Sequence, residues 1–275
     1  MLEQHSEVFC LLLDANILSF SDLTVEPNSE KFLFSVSEYC NIIENFIESY
    51  GLFYPFNILI IVSYDSKAAY CLFNGFARSF NIDSFIEKLY NYNFKSCDVV
   101  GPSLYNLGLM KAFSNLQLIK ENSKRILHIS LSPLKLDCNQ IDDLYRISLS
   151  LKEAKIKLDA FVLHQYTLSV CNNLSLLCDG LTLGLPSPLE AIINEKNVDN
   201  LQTQTAIIGF LLFHFMNSGN IRETQLTTPI EILINTAYCD CHQKQVKIGY
   251  LCMTCFKCKF MILYLFSVLR KCQVL

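Results

Sequence analysis

The sequence predicts an α/β fold in which a doubly wound, mostly parallel sheet carries helices on both faces, followed by a small cysteine-rich module. Two observations predict the sheet and its helices. Short apolar runs recur along the first 185 residues, as expected of strands that are buried on both faces. Between them lie longer segments whose apolar positions are three and four residues apart, which is the period of an amphipathic helix. Strands that alternate with helices in this way form parallel sheets.

The predicted strands begin with VFCLLLD at residues 8–14, a continuous apolar run that ends in an acid. A run with no polar alternation is typical of a central strand. Further strands are predicted at residues 57–64, 67–73, 125–131, 158–164 and 181–185. We expect the strand at 67–73 to pair beside the one at 57–64, after a short turn at Asp65-Ser66.

The predicted helices begin at residues 31–50, where apolar side chains share one face of the helix at positions Phe32, Val36, Tyr39, Ile43, Phe46 and Tyr50. The sequence Gly101-Pro102-Ser103 predicts the amino-terminal cap of a later helix. That helix and the others are predicted at residues 82–92, 103–121, 140–154, 167–178, 188–194 and 201–216. The polar segment 217–228 marks a boundary, so we predict a first domain of residues 1–220 and a cysteine-rich tail of residues 221–275.

Composition and charge disfavour several classes of protein. The net charge is −4 and only 17% of residues are charged, which argues against a chain that chiefly neutralises nucleic-acid phosphates. The apolar runs at residues 207–216 and 260–269 are shorter than the roughly 20 residues that a spanning helix needs, so we expect no membrane segment. The opening MLEQHSEVFC lacks the basic residues of a secretory signal. The uneven set of 13 cysteines is not typical of a disulfide framework, and it indicates a reducing compartment.

One candidate ligand loop follows the first predicted strand, at the carboxyl end where α/β sheets place their ligands. Its sequence, Asp14-Ala15-Asn16-Ile17-Leu18, resembles the Asp-x-Ser-x-Ser metal-adhesion loop of von Willebrand A domains. Asp14 is kept and Asn16 offers an oxygen, but Leu18 removes a ligand that hard cations require. Ser103 stands where a second loop would supply a hydroxyl. We expect a degenerate loop that holds no magnesium and in which Asp14 braces the turn through hydrogen bonds.

Other enzymatic signatures are missing from the sequence. There is no glycine-rich phosphate loop, no Gly-x-Ser-x-Gly elbow and no His-Glu-x-x-His pair. The acids Asp142 and Asp143 lie near a predicted helix start, where a capping or solvated role is favoured. His128 and His164 fall in apolar strands, and burial there favours a neutral core ring. We therefore predict a protein with no catalytic residues.

The tail contains a strong metal-binding pattern. Cys239-x-Cys241 and Cys252-x-x-Cys255 form two closely spaced pairs, and zinc prefers four thiolate or imidazole ligands in a tetrahedron. The spacing predicts zinc held by these four cysteines, with His242 or Cys258 as possible substitutes for a ligand, and it leaves the number of zinc ions open. The alternative is an enzyme, either metal-dependent through the Asp14 loop or redox-active through the Cys252–Cys255 pair.

These parts together resemble the thirty-four-kilodalton subunit of the general transcription and repair factor TFIIH, a von Willebrand A-type (Rossmann-like) domain with a zinc module. The most specific match is Cys239-Asp240-Cys241-His242 followed by Gly249-Tyr250-Leu251-Cys252-x-x-Cys255. Residues 11–16 (LLLDAN), 125–130 (RILHIS), 159–163 (DAFVL) and 178–185 (CDGLTLGL) are similar to strands of that family. After residue 256 the chain departs from the family, because Cys258 and Cys272 do not fall in its register. We therefore expect a reduced or altered zinc module.

The resemblance implies a non-catalytic scaffold. Members of that family bind a forty-four-kilodalton subunit, itself of von Willebrand A type, and through it support the helicase subunits. They act in the nucleus, in RNA polymerase II transcription initiation and nucleotide-excision repair. The resemblance thus implies zinc as cofactor, contact with nucleic acid only through partners, and no contact with a membrane.

Overall fold

The structure is a computed structural model, which describes residues 7–16, 35–94, 103–120, 123–131, 138–163, 165–184 and 200–216. It also describes four short strands between residues 237 and 259. The chain forms two compact units, Met1–Pro229 and Ile230–Leu275. The predicted boundary between residues 220 and 221 lies outside the described residues and stays a prediction.

The first unit is built on a six-stranded sheet in the order β3-β2-β1-β4-β5-β6. All neighbouring strands are parallel except β2 and β3, which form an antiparallel pair at one edge. The strands are β1 (Glu7–Asp14), β2 (Ile58–Tyr64), β3 (Ala69–Phe76), β4 (Ser123–Ser130), β5 (Ile156–Val162) and β6 (Thr182–Gly184). All eight residues of β1 are buried, and the six between Glu7 and Asp14 are apolar, as expected of a central strand.

Within the described residues, six α-helices connect or cover these strands. They are α1 (Val36–Phe53), α2 (Ile82–Leu89), α3 (Tyr105–Gln117), α4 (Cys138–Glu153), α5 (Gln165–Leu177) and α6 (Asn200–Leu211). Short π-helical segments, Tyr90–Phe94 and Leu212–Met216, extend α2 and α6. None of the helices in the described part of the chain is long and apolar enough to cross a membrane.

Opposite faces of the sheet pack against different helices, which confirms the doubly wound arrangement. On one face, Val8, Cys10 and Leu12 of β1 belong to a core cluster with side chains of α3, α4 and α5. On the other face, Phe9 packs against α1, with ring centroids 6.2 Å from Phe46 and 4.7 Å from Tyr50. Each large apolar side chain buried in this way contributes about 1.5–3 kcal/mol.

The predicted α/β class is confirmed, and the structure corrects several boundaries. Helix α1 begins at Val36 because Ser35 forms a capping box with Glu38, while residues 31–34 lie outside the described residues. Strand β3 runs on to Phe76, past the predicted end at residue 73, because pairing continues to Ile58↔Phe76. The predicted helix at residues 188–194 also lies outside the described residues.

The predicted cap of α3 is wrong. The N-cap residue of the helix is Leu104, which makes no side-chain capping hydrogen bond. Ser103 instead donates its hydroxyl proton to Asp14. The Ser103 hydroxyl therefore binds the buried carboxylate at the end of β1, and it does not occupy the N-cap position of α3.

The second unit is described by its backbone alone, as two antiparallel strand pairs. Strand β7 (Ala237–Cys239) pairs with β8 (Lys244–Val246), and β9 (Tyr250–Leu251) pairs with β10 (Cys258–Lys259). Strand β10 approaches β7 to within 8 Å between Cα atoms. The described part of this unit is thus two short strand pairs that lie close together.

Candidate functional site

The candidate site lies at the carboxyl ends of β1, β2 and β4, next to the start of α3. Asp14 is the last residue of β1, and Asn16 and Ser103 follow from two separate loops. All three side chains are buried, with relative exposures of 0%, 5% and 3%. The structure thus brings together the three residues predicted from the degenerate metal loop.

Hydrogen bonds link these three side chains to one another. The Ser103 hydroxyl donates to Asp14 Oδ1 at 3.1 Å, and the Asn16 side-chain amide donates to Ser103 Oγ at 3.1 Å. The backbone N–H of Asn16 also donates to Asp14 Oδ1, at 3.2 Å. The loop is therefore tied to α3 through its own polar side chains.

The second carboxylate oxygen of Asp14 faces strand β4. Asp14 Oδ2 accepts the backbone N–H of Leu131 at 3.3 Å. The Asp14 carbonyl accepts the hydroxyl proton of Tyr39 at 3.2 Å, and the N–H of Ala15 donates to the carbonyl of Tyr64 at 2.9 Å. Donors from four parts of the chain therefore converge on Asp14 and its loop, which satisfies a buried carboxylate without exposing it to water.

This arrangement does not fit the magnesium ion that the loop pattern implies. Mg²⁺ requires oxygen lone pairs in near-octahedral array at 2.0–2.1 Å. Here the Ser103 hydroxyl points its proton at Asp14 and accepts from Asn16, and Asn16 turns its amide nitrogen toward the cluster. Both carboxylate oxygens already accept protein donors. A cation would have to displace these hydrogen bonds, so no chemical step is assigned to a metal here.

A second polar network adjoins the first at the end of β2. Asp65 Oδ1 accepts the backbone N–H groups of Lys67 and Ala68 at 2.6 and 2.9 Å, which closes the turn before β3. Asp65 Oδ2 accepts the Asn93 amide at 3.0 Å, and Ser63 donates to Asn93 Oδ1 at 2.7 Å. Sequence reasoning found the turn but missed this network, because Asn93 reaches it through a π-helical segment that periodicity does not reveal.

Beneath the Asp14 loop lies His128, a buried ring in an apolar strand, as its sequence context predicts. Its Nε2 is 2.7 Å from the Tyr64 hydroxyl, and its ring stacks on Tyr105 with centroids 4.1 Å apart. Burial lowers the pKa of His128 to about 3, so the ring is neutral near pH 7. It acts as a hydrogen-bonded core residue.

The pairing of His128 with Cys171 is also structural. Cys171 Sγ lies 3.8 Å from His128 Nδ1, a geometry that invites comparison with a nucleophile and its base. However, burial, and secondarily the charge of Asp14, raises the pKa of the Cys171 thiol above its ordinary value. Reactive cysteines need partial exposure and a depressed pKa. This thiol therefore stays protonated and inert.

Two further groups bear on the sequence-based interpretation. Asp142 and Asp143 are exposed and lie in the second turn of α4, so they do not cap the helix, and Asp143 accepts the Asn106 amide at 3.3 Å.

Sequence reasoning missed Arg125, whose buried guanidinium lies 3.3 Å from Glu7 and 3.6 Å from Asp159. The available signal was an arginine inside an otherwise apolar strand.

The predicted zinc ligands lie mostly outside the described residues. Cys239 ends β7 and Cys258 begins β10. The other predicted ligands, Cys241, His242, Cys252 and Cys255, are not described. Within the described part of the chain, no cluster of three or more His, Cys, Asp or Glu side chains could hold a metal ion.

The mostly parallel sheet with helices on both faces is shared with solved structures of von Willebrand A-like domains. The solved structure of the TFIIH p34 N-terminal domain aligns with a TM-score of 0.55 at 16% identity, over 76% of this chain and 97% of that one. The SpRpn10 VWA domain aligns with a TM-score of 0.48 at 14% identity, over 71% and 97%. The PilB minor pilin from Streptococcus sanguinis aligns with a TM-score of 0.48 at 10% identity, over 78% and 64%.

No protein-family model matches the sequence, and no curated protein matches it either. At 16% identity, the likeness to the TFIIH p34 domain shows the fold alone. That fold is a von Willebrand A-like α/β domain.

Proposed function

We propose that this protein is a non-catalytic scaffold subunit of a TFIIH-like core complex. The proposal rests on the hydrogen bonding at the carboxyl ends of the strands. Asp14, Asn16 and Ser103 hydrogen-bond to one another there, where a related domain would bind a cation. A sheet of this kind without a reactive crevice is best suited to binding other proteins. The fold likeness to the TFIIH p34 domain supports the choice of complex.

The proposed direct partner is the forty-four-kilodalton subunit, which is itself of von Willebrand A type. Through that subunit the chain would support the helicase subunits in RNA polymerase II transcription initiation and nucleotide-excision repair, and it would act in the nucleus. The net charge of −4 is consistent with contact to nucleic acid only through such partners.

We also propose that the tail binds one zinc ion through Cys239, Cys241, Cys252 and Cys255. The backbone supports this ligand set, since Cys241 falls in the connection between β7 and β8 and both Cys252 and Cys255 fall in the connection between β9 and β10. Each strand pair thus has cysteines in the sequence that connects its two strands. The ion would supply folding energy to this small unit.

Co-purification tests the scaffold and the zinc site together. The chain should form a one-to-one complex with the forty-four-kilodalton subunit of the same organism and contain stoichiometric zinc by elemental analysis. Cys252→Ser should weaken the complex and release zinc, whereas Cys40→Ser, on α1 of the first unit, should change neither. Failure of folded wild-type protein to bind the subunit would contradict the scaffold, and absence of zinc would contradict the metal site.

Magnesium titration tests the alternative of a metal-dependent enzyme. A ligand that binds only the native state raises the melting temperature. We expect no rise with millimolar Mg²⁺. A rise that Asp14→Asn abolishes would favour the enzyme.

A further inference from the structure

An exposed apolar patch surrounds the turn Ala77–Ser79, on the side of the molecule where α1 ends. We define the Arg78 patch as Leu52, Phe53, Phe56, Phe76 and Arg78. The four apolar side chains are 82%, 66%, 55% and 49% exposed. Clustered exposed aromatic side chains mark interaction sites more often than scattered ones do.

Backbone hydrogen bonds fix the segments that carry the patch. The N–H of Ala77 donates to the carbonyl of Asn57 at 2.9 Å, and the N–H of Arg78 donates to the carbonyl of Pro55 at 3.2 Å. These bonds hold the loop of Phe56 against the end of β3. A surface that is already ordered loses little conformational entropy when a partner binds.

Arg78 gives the patch a charge. Its guanidinium carbon lies 5.1 Å from the ring centroid of Phe56 and 5.7 Å from that of Phe76. Among the described residues this guanidinium contacts the two rings and forms no ion pair with a carboxylate. A guanidinium stacked on rings keeps the N–H donors of its edge, which match a carboxylate with two parallel hydrogen bonds.

Leu118 provides a contrast within the same domain. It follows α3 and is 82% exposed, as Leu52 is. No cation–ring contact adjoins it in the part of the chain that the structure describes. Single exposed leucines are ordinary on protein surfaces, whereas aromatic rings grouped around an arginine have the composition of binding hot spots.

We propose that the Arg78 patch docks a protein segment in which Asp or Glu side chains alternate with large apolar ones. Its apolar side chains would cover the rings of Phe53, Phe56 and Phe76, and a carboxylate would pair with Arg78. The inference rests on the proposed scaffold function and gives that function a surface and a partner chemistry.

Affinity for the forty-four-kilodalton subunit is the first measurement. Arg78→Glu and Phe56→Ser, both at exposed positions, should each weaken binding by about tenfold or more, whereas Leu118→Ser should leave it unchanged. Thermal melts check that all variants fold. Equal binding by every variant would contradict the docking role of the Arg78 patch but would leave the proposed scaffold function intact. No binding by the wild type would instead overturn the scaffold.

Peptide titration decides the chemistry independently of that subunit. The probes are a synthetic peptide in which Leu and Glu alternate and a second peptide with Lys in place of every Glu. The wild type should bind the acidic peptide, and Arg78→Glu should lose that binding. No binding, or equal binding of the two peptides, would overturn the proposal. So would concentration-dependent self-association that Arg78→Glu abolishes, since the occupant would then be a second copy of the chain.

Discussion

Two buried polar clusters lie in the same sheet and are neutralised in different ways. At the carboxyl edge, the Asp14 carboxylate accepts hydrogen bonds from the neutral groups of Asn16, Ser103 and Leu131. Toward the amino ends of the strands, the carboxylates of Glu7 and Asp159 pair with the Arg125 guanidinium. The first cluster satisfies its carboxylate with dipoles spread over several loops. The second depends on one cation.

This difference predicts which cluster is more sensitive to a single substitution. Arg125 also donates to the carbonyl of Phe215 at 2.7 Å and lies over the ring of Phe9 at 4.7 Å, so one side chain joins three strands to the π-helical segment Leu212–Met216. Removing the cation would leave two carboxylates buried without it. Removing one dipole from the Asp14 cluster leaves the others in place.

The largest effect is expected from Arg125→Met. Loss of one partner from a buried ion pair typically destabilises by about 3–5 kcal/mol, because the remaining charges are uncompensated. Urea unfolding measures this free energy. Arg146→Met, at an exposed position on α4, should change it by less than about 0.5 kcal/mol. A small effect of Arg125→Met would mean that the cluster is not the brace described above.

Gly180→Ala should cause the second-largest loss of unfolding free energy, because it disturbs the turn that supports Asp159. A Cβ at residue 180 would clash with the carbonyl oxygen of Leu158, and the N–H of the following residue, Leu181, donates to Asp159 Oδ1 at 2.8 Å. We expect a loss of about 2–3 kcal/mol in unfolding free energy. Gly209→Ala is the matched control, because nothing lies within 4 Å of its added Cβ and alanine favours the helix by about 1 kcal/mol. Similar effects of the two changes would contradict the clash.

His128 should make the carboxyl-edge region sensitive to acid. Its folded pKa of about 3 lies below the ordinary value of 6.5, so the unfolded chain binds the proton more tightly. The neutral ring therefore favours folding above pH 6.5, and that stability is lost as the pH falls toward 3, by about 1.4 kcal/mol per pH unit. Urea unfolding at pH 7, 6 and 5 should show a steeper loss for the wild type than for His128→Gln. Parallel curves would refute this account.

The smallest effect is expected from Asp14→Asn. The amide keeps the shape of the side chain but places N–H donors opposite existing donors, at a cost of about 1–2 kcal/mol. Melting temperature with and without Mg²⁺ measures both stability and metal response. A loss as large as that of Arg125→Met would erase the difference between the two clusters.

The structure resolves the two roles that the sequence suggested for Ser103. The Gly-Pro-Ser sequence indicated a helix cap, while its place relative to the first loop suggested a hydroxyl near Asp14. The hydrogen bond to Asp14 spans 89 residues of sequence, so no local pattern reveals it. Arg125 and Glu7 are 118 residues apart and were missed for the same reason.

The sequence by itself determined the class of fold and the residues at its carboxyl edge. Uninterrupted apolar runs and the helical period specify which segments are buried, and Asp14 at the end of the first run identified the loop. Tertiary structure alone decided that Ser103 turns inward, that β3 continues to Phe76 and that Arg125 joins three strands. The physical reason is that burial preference is a local property of each segment. The partner of a buried polar group is instead set by which distant segments the sheet brings together.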